Sequence, residues 1–274
     1  MILIIGSDED PTTEYFVNFL QEQKAKCVFL NQRFFLQGIE ISSKSLEVFG
    51  QKYLLSDFSG VLNRLASIEY KSLQEMPLKY CRCFDALNSI IDCFLPNVLN
   101  PGFLGFSNDS KLFQSISIKT KYIKIPQSFV LANLEVKSNL NKLSKLNNHI
   151  VKSLSSIRSI VHHFENNLEL FLECSKEPVL FQELIDGINI RVHVIDELCI
   201  SIAIYSDALD YRYGNYKTKG KEYDLPIEIQ RECIIISKQL QLRFCGIDLI
   251  KRNEQYYFLE ANPAPGQGFC MKFQ

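Results

Sequence analysis

The stretch GIDLIKRNEQYYFLEANPAPG, residues 246 to 266, decides how this chain is read. It divides into two short strands joined by a polar turn. Asp248 stands on the first strand, and Glu260 and Asn262 stand two apart on the second. Side chains two apart on a strand share a face. A carboxylate and an amide oxygen therefore lie side by side, with a second carboxylate on the neighbouring strand. Three hard oxygen donors converging in this way suit Mg²⁺, which keeps several waters and meets substrate phosphates. The same residues also make an ordinary surface hairpin with two solvated acids, and spacing alone does not separate the two readings. The rest of the chain has to.

With 274 residues, 46% hydrophobic and 22% charged, the chain can bury a sizeable core and is not disordered. A net charge of −1 gives no support for a protein built to bind nucleic acid through its phosphates. The nine cysteines are scattered, with Cys81-Arg82-Cys83 the only close pair and no partners at zinc spacing. Free thiols in a reducing compartment are the expectation. The opening MILIIGSDED has four apolar residues between Met1 and Gly6 and then acids, which is not the pattern of a signal peptide. No run approaches the length of a membrane span. Composition thus points to a cytoplasmic protein with no membrane partner.

Ile2 to Ile5 reads as a buried parallel strand, Pro11 onward as a helix and Cys27 to Leu30 as a second strand, a βαβ beginning. Without GxGxxG, a dinucleotide site is not expected there. Residues 34 to 56 read as a hairpin region. Gly60 to Leu65 reads as a strand whose Arg64 either faces a ligand at the mouth of the sheet or is a solvated strand end. Pro77 to Phe94 is a long helix, and Asn97 to Phe106 the first boundary. Ser110 and its neighbours offer caps for a helix to about Ser117. The lysine-rich KTKYIK (119–124) precedes a strand at Ser128 to Leu131, then a helix over about 133–146. His149 to Lys152 is a strand ending on a lysine and running into Ser153-Leu154-Ser155-Ser156, and His163 closes the returning strand. A lysine in that position acts on phosphates as a point charge. QELIDG (182–187) ends a further strand. Ile188 to Ile195 alternates strictly, placing Asn189, Arg191 and His193 on one face, and Leu198 to Tyr205 returns after Asp196-Glu197. Asp207 to Lys221 reads as a long polar loop carrying Arg212, and Pro226 to Leu242 as an amphipathic helix.

At Lys111, Lys152, QELIDG, NIRVHV, DYRYG, Asp248 and FLEANPAPG the chain resembles the ATP-grasp carboxylate–amine ligases, most of all the RimK-like branch that includes ligases cyclising ribosomally made peptides. The resemblance runs from the first βαβ unit to Pro265. It implies an α/β (α+β) chain with the ATP-grasp fold. An N-terminal Rossmann-like pre-ATP-grasp domain would occupy residues 1–100, a central subdomain 101–184, and a C-terminal subdomain with the metal site 185–274. It implies ATP and one or two Mg²⁺, with Mn²⁺ as a substitute. Partners would be ATP and a peptide or small-molecule carboxylate and amine, and a homodimer is compatible with it. By resemblance, Lys111 and Lys152 hold nucleotide phosphates. Gln182, Glu183, Leu184 and Ile185 form the hinge beside adenine. Asn189 stands near the ribose, where many relatives have an acid. Arg191 and Arg212 grip the reacting phosphoryl or carboxylate group, and Asp248, Glu260 and Asn262 hold the metal. Two departures stand out. Ser153 to Ser159 lacks the glycines usual in the family's phosphate loop, and only twelve residues follow Asn262.

The chemistry so implied is activation of a carboxylate by ATP and its capture by an amine, or by a hydroxyl to give an ester. A ligase of free amino acids, a phosphotransferase and a nucleotide-binding protein without ligase activity remain the competing readings.

Overall fold

Ile2–Gly6 (β1) is buried on both of its faces, as a central strand of a parallel sheet must be. The computed structural model of the chain describes residues 1–65, 77–102, 110–131, 148–153, 162–163, 179–205 and 219–266. In it β1 lies between Cys27–Asn31 (β2) and Gly60–Asn63 (β6), with Val98–Leu99 (β7) outside β6, all parallel. Odd and even residues of β1 serve two cores. Ile4 joins Leu62 and Leu20, the last from helix Pro11–Glu22 (α1). Leu3 and Ile5 join Val61, Leu87, Ile90 and Ile91. The last three belong to helix Pro77–Phe94 (α3). Burying each such side chain contributes about 1.5–3 kcal/mol.

The stretch read as a hairpin region is a three-stranded antiparallel sheet, Ile39–Ile41 (β3), Ser45–Val48 (β4) and Gln51–Leu54 (β5). A 3-10 turn and the short helix Phe35–Gly38 (α2) precede it. Its Leu46 and Val48 pack into the same core as Leu3 and Ile5.

The chain divides into two compact units. The first is Met1–Phe106 with Gln241–Phe244 and Ala264–Gln274. The second, Ser107–Leu240 with Cys245–Pro263, holds two sheets. The smaller runs in the order β11-β10-β12-β9, antiparallel throughout. Its strands are Ser128–Leu131 (β9), His149–Ser153 (β10), His162–His163 (β11) and Val179–Glu183 (β12). The larger has six strands in the order β15-β14-β13-β16-β17-β8. These are Ile123–Lys124 (β8), Ile188–Ile195 (β13), Leu198–Tyr205 (β14), Lys219–Glu222 (β15), Phe244–Arg252 (β16) and Gln255–Asn262 (β17). Helix Lys111–Ser117 (α4), capped by Ser110, packs on both β17 and β9. Helix Ile227–Gln239 (α5) packs on β13 and β14.

Two expectations are corrected in this unit. The polar loop assigned to 207–221 ends in strand β15, paired with β14 through Ile202↔Glu222 to Tyr205↔Lys219. Edge strands carry lysines to discourage further pairing, so this one lacks an apolar pattern. The helix assigned to 226–242 is shorter, with Pro226 at its N-cap. Gly187, just before β13, is held against the backbone of Lys251, where an added Cβ would collide with the carbonyl. The helix expected over 133–146 and the serine loop from Leu154 to Ser159 lie outside the described residues.

Candidate functional site

The hairpin β16–β17 sets Asp248 directly opposite Glu260, and Gly246 opposite Asn262. Directly opposed residues share a face, so both carboxylates and the amide face one way, with no side chain across from Asn262. A β-bulge makes this possible. The register passes from Asp248↔Glu260 to Leu249↔Phe258, leaving Leu259 as an extra residue. Simple alternation would put Glu260 on the same face as Phe258. The bulge reverses it: Phe258 (0% exposed) goes with Leu249 into the core, and Glu260 goes with Asp248.

Each carboxylate has a cation beside it. Arg191 meets Asp248 as a fork, Nε 2.6 Å from Oδ1 and Nη2 donating to Oδ2 at 2.9 Å. Lys111 Nζ is 3.4 Å from Glu260 Oε2. Lys111 is 3% exposed, and its ammonium makes no hydrogen bond among the described residues. Among the described residues, the three N–H donors of this buried charge meet a carboxylate only at the edge of contact. Such a group has donors left to offer an anionic ligand. Two carboxylates and an amide with hard oxygens, flanked by two cations, fit Mg²⁺ together with phosphate. Asn189 is on the same face of β13 as Arg191, two residues along.

Lys152 and Gln182 come together on the smaller sheet. Lys152 Nζ donates to Gln182 Oε1 at 2.9 Å, and Gln182 Nε2 donates to Ser128 Oγ at 3.3 Å. Register explains the meeting. Ile150 opposes Gln182 and Lys152 opposes Leu180, so the lysine and the amide share a face. On the other face Phe129 and Phe181 stack at 5.2 Å. Lys152 and Gln182 are both buried. Glu183 and Leu184 are half-buried, and their amides donate to Gln127 O and Asn148 O at 2.9 and 2.8 Å, so these two backbone donors are already committed. Ile185 is buried. Arg212 lies outside the described residues.

Arg64 is neither a ligand-facing arginine nor a solvated one. It is 8% exposed and grips Asp10, Nε to Oδ2 at 2.6 Å and Nη2 to Oδ1 at 3.1 Å. Its Nη1 donates to Pro265 O. Asp10 is the N-cap of α1, so strand end and helix start are tied together. KTKYIK is likewise partly structural. The amides of Lys121 and Tyr122 donate to the buried Glu232 of α5, and Ile123 and Lys124 form the edge strand β8.

The model of the RimK-like ATP-grasp domain matches residues 109–273. The chain belongs to this family. Its fold is the ATP-grasp fold, and it is an ATP-dependent ligase of that family that uses ATP and Mg²⁺. Solved ATP-grasp ligases resemble it over nearly their whole length. Macrocyclase MdnC of Microcystis aeruginosa MRC, bound with precursor peptide MdnA, is 21% identical with a TM-score of 0.74, covering 97% of this chain and 92% of that one. The ATP-grasp ligase PsnB, complexed with a phosphomimetic variant of its minimal precursor, Mg and ADP, is 19% identical with a TM-score of 0.79, covering 98% and 92%. D-alanine–D-alanine ligase from Bacillus anthracis is 18% identical with a TM-score of 0.63, covering 97% and 87%. The search of curated proteins found no match. Among the described residues, no helix is long and apolar enough to cross a membrane.

Proposed function

We propose that this ATP-grasp ligase joins a carboxylate to an amine through an acyl phosphate, on a peptide substrate, with Asp248, Glu260 and Asn262 as the metal ligands. The observation that carries the reading is the facing pair of carboxylates, with the buried Lys111 beside Glu260 and the partly buried Arg191 beside Asp248. A carboxylate does not condense with an amine at neutral pH, because its oxygen is a poor leaving group. Attack of a carboxylate oxygen on the γ-phosphorus of ATP releases ADP and leaves an acyl phosphate. The amine then attacks the carbonyl carbon, phosphate departs with one of the original carboxylate oxygens, and the nitrogen loses a proton. Both steps need positioning and charge neutralisation more than covalent help. Bound Mg²⁺ supplies Lewis-acid neutralisation of the phosphates.

The residues divide the remaining work. Asp248, Glu260 and Asn262 offer oxygens, and Lys152 and Lys111 offer fixed positive charge. Arg191 and Arg212 offer guanidinium forks that match phosphate and carboxylate alike. Gln182, Glu183, Leu184 and Ile185 would line adenine, and Asn189 the ribose. With the amides of Glu183 and Leu184 already bonded, these two residues would meet adenine through carbonyls and side chains. The peptide reading is supported by similarity over the whole chain to MdnC and PsnB, both solved with precursor peptides. The similarity to D-alanine–D-alanine ligase supports the second reading, a small-molecule acceptor.

The test is to incubate the protein with ATP, Mg²⁺ and a candidate acidic peptide whose side-chain carboxylates carry ¹⁸O. We expect ADP, a product lighter by one water, and ¹⁸O in the released phosphate. A product heavier by a phosphoryl group would make the enzyme a phosphotransferase. Unlabelled phosphate alongside a joined product would remove the acyl phosphate from the mechanism.

A further inference from the structure

Gln114 sits on α4 one turn after Lys111 and is 0% exposed. Its amide makes two hydrogen bonds to one backbone residue. Nε2 donates to Ala261 O at 2.7 Å, and Ala261 N donates to Oε1 at 2.9 Å. Ala261 is the residue between Glu260 and Asn262. On one side β17 pairs with β16, and on the other it pairs with β8 only at Tyr256 and Tyr257. Among the described residues, no strand therefore lies beside the outer edge at Ala261. A primary amide has one carbonyl and an N–H pair, the same donor and acceptor as a peptide group. Gln114 replaces the missing strand at the one point where the edge runs between the two proposed ligands.

On this basis we propose that Gln114 is a positioning residue for the metal-binding edge of β17: its side-chain amide fixes the Ala261 peptide and, through it, the spacing of Glu260 and Asn262. The proposal rests on the reading of those two residues as metal ligands. Ligand oxygens must converge within a few tenths of an ångström for Mg²⁺, whose octahedral demand is strict. A free strand edge with an unpaired N–H and C=O would fray or take up water. Helix α4 then serves twice, presenting Lys111 to Glu260 and Gln114 to the next residue. Lys111 and Gln114 are three apart, so both reach the same side of the helix.

The molecule carries its own control. Gln239 of α5 makes the same two-bond clamp on Lys119, whose N–H donates to Oε1 at 2.7 Å while Nε2 donates to Lys119 O at 3.0 Å. That clamp is not on the proposed metal strand. The full-length Gln114→Met and Gln239→Met variants remove one clamp each with little change of side-chain length. Mn²⁺ binding is titrated with ADP present, reading free Mn²⁺ by electron paramagnetic resonance, and melting temperature is recorded beside it. We expect Gln114→Met to weaken Mn²⁺ by at least about tenfold, as outer-shell losses around metal ligands do. Gln239→Met is expected to leave Mn²⁺ affinity as in the wild type. Wild-type affinity in folded Gln114→Met overturns the proposal. Glu260→Gln, run in parallel, separates the two levels. If it too binds Mn²⁺ normally, the metal reading itself fails; if it weakens binding and Gln114→Met does not, only the role of Gln114 fails. Should Gln114→Met not fold, Gln114→Glu, which keeps the acceptor and loses the donor, carries the same comparison.

Discussion

Arg64 illustrates how far a single residue can be read. From the sequence it is an arginine at a strand end, open to a ligand or to water. In the fold it closes on Asp10, and nothing in the spacing of 54 residues announces that pairing. Burial alone would push the Asp10 carboxyl up. The Arg64 guanidinium and the Thr13 hydroxyl and amide, all bonded to it, outweigh burial and hold it below the usual carboxylate value. A group whose folded value is depressed contributes stability above its unfolded value, about 3.9, and loses it as pH falls through the folded one. Asp10→Asn should therefore unfold at lower denaturant than the wild type at neutral pH, and the gap should close below about pH 4. Urea titrations across that range check this, and a gap independent of pH would exclude the charge as its source. Glu260 and Asn262 were more legible, because Pro263 and Pro265 fix the backbone just beyond them. Gln114 gave no signal at all. A buried glutamine on a short helix looks like any other until the edge it covers is known.

Among the elements, those with long and regular patterns were readable. The strands Ile188–Ile195 and Leu198–Tyr205 and the turn at Asp196 (φ 52°) lie where the sequence puts them. The bulge at Leu259 was hidden, because Tyr256, Tyr257, Phe258 and Leu259 form an unbroken apolar run with no parity to follow. The shared face of Glu260 and Asn262 follows from spacing, but the shared face of Glu260 and Asp248 depends on that extra residue. The edge strands β8 and β15 were hidden for another reason, since lysines at a sheet edge imitate a loop. Gly187 connects the end of QELIDG to β16 by close backbone approach. Gly187→Ala should destabilise the protein by about 1–3 kcal/mol, since either backbone must move. Thermal or urea unfolding measures it, and a wild-type midpoint would show that the turn yields freely.

For the whole molecule, the order of motifs carried more information than any one of them. Lys111, Lys152, the strand ending in QELI, Arg191 and the carboxylate hairpin follow one another within residues 109–273, the stretch that the RimK-like domain model matches. Sequence periodicity has no means of saying which side chains meet across that length. Two sheets and a seven-residue helix bring Lys111 to Glu260, Arg191 to Asp248, and Lys152 to Gln182. We propose that the β16–β17 edge is the metal wall of the ATP site. The most direct test compares Mg²⁺-dependent ADP release by wild type and Glu260→Ala, with ATP and an accepted peptide, after circular dichroism shows both to be folded. We expect ADP release by the wild type and its loss in Glu260→Ala. Normal peptide-dependent ADP release from the folded variant would contradict it.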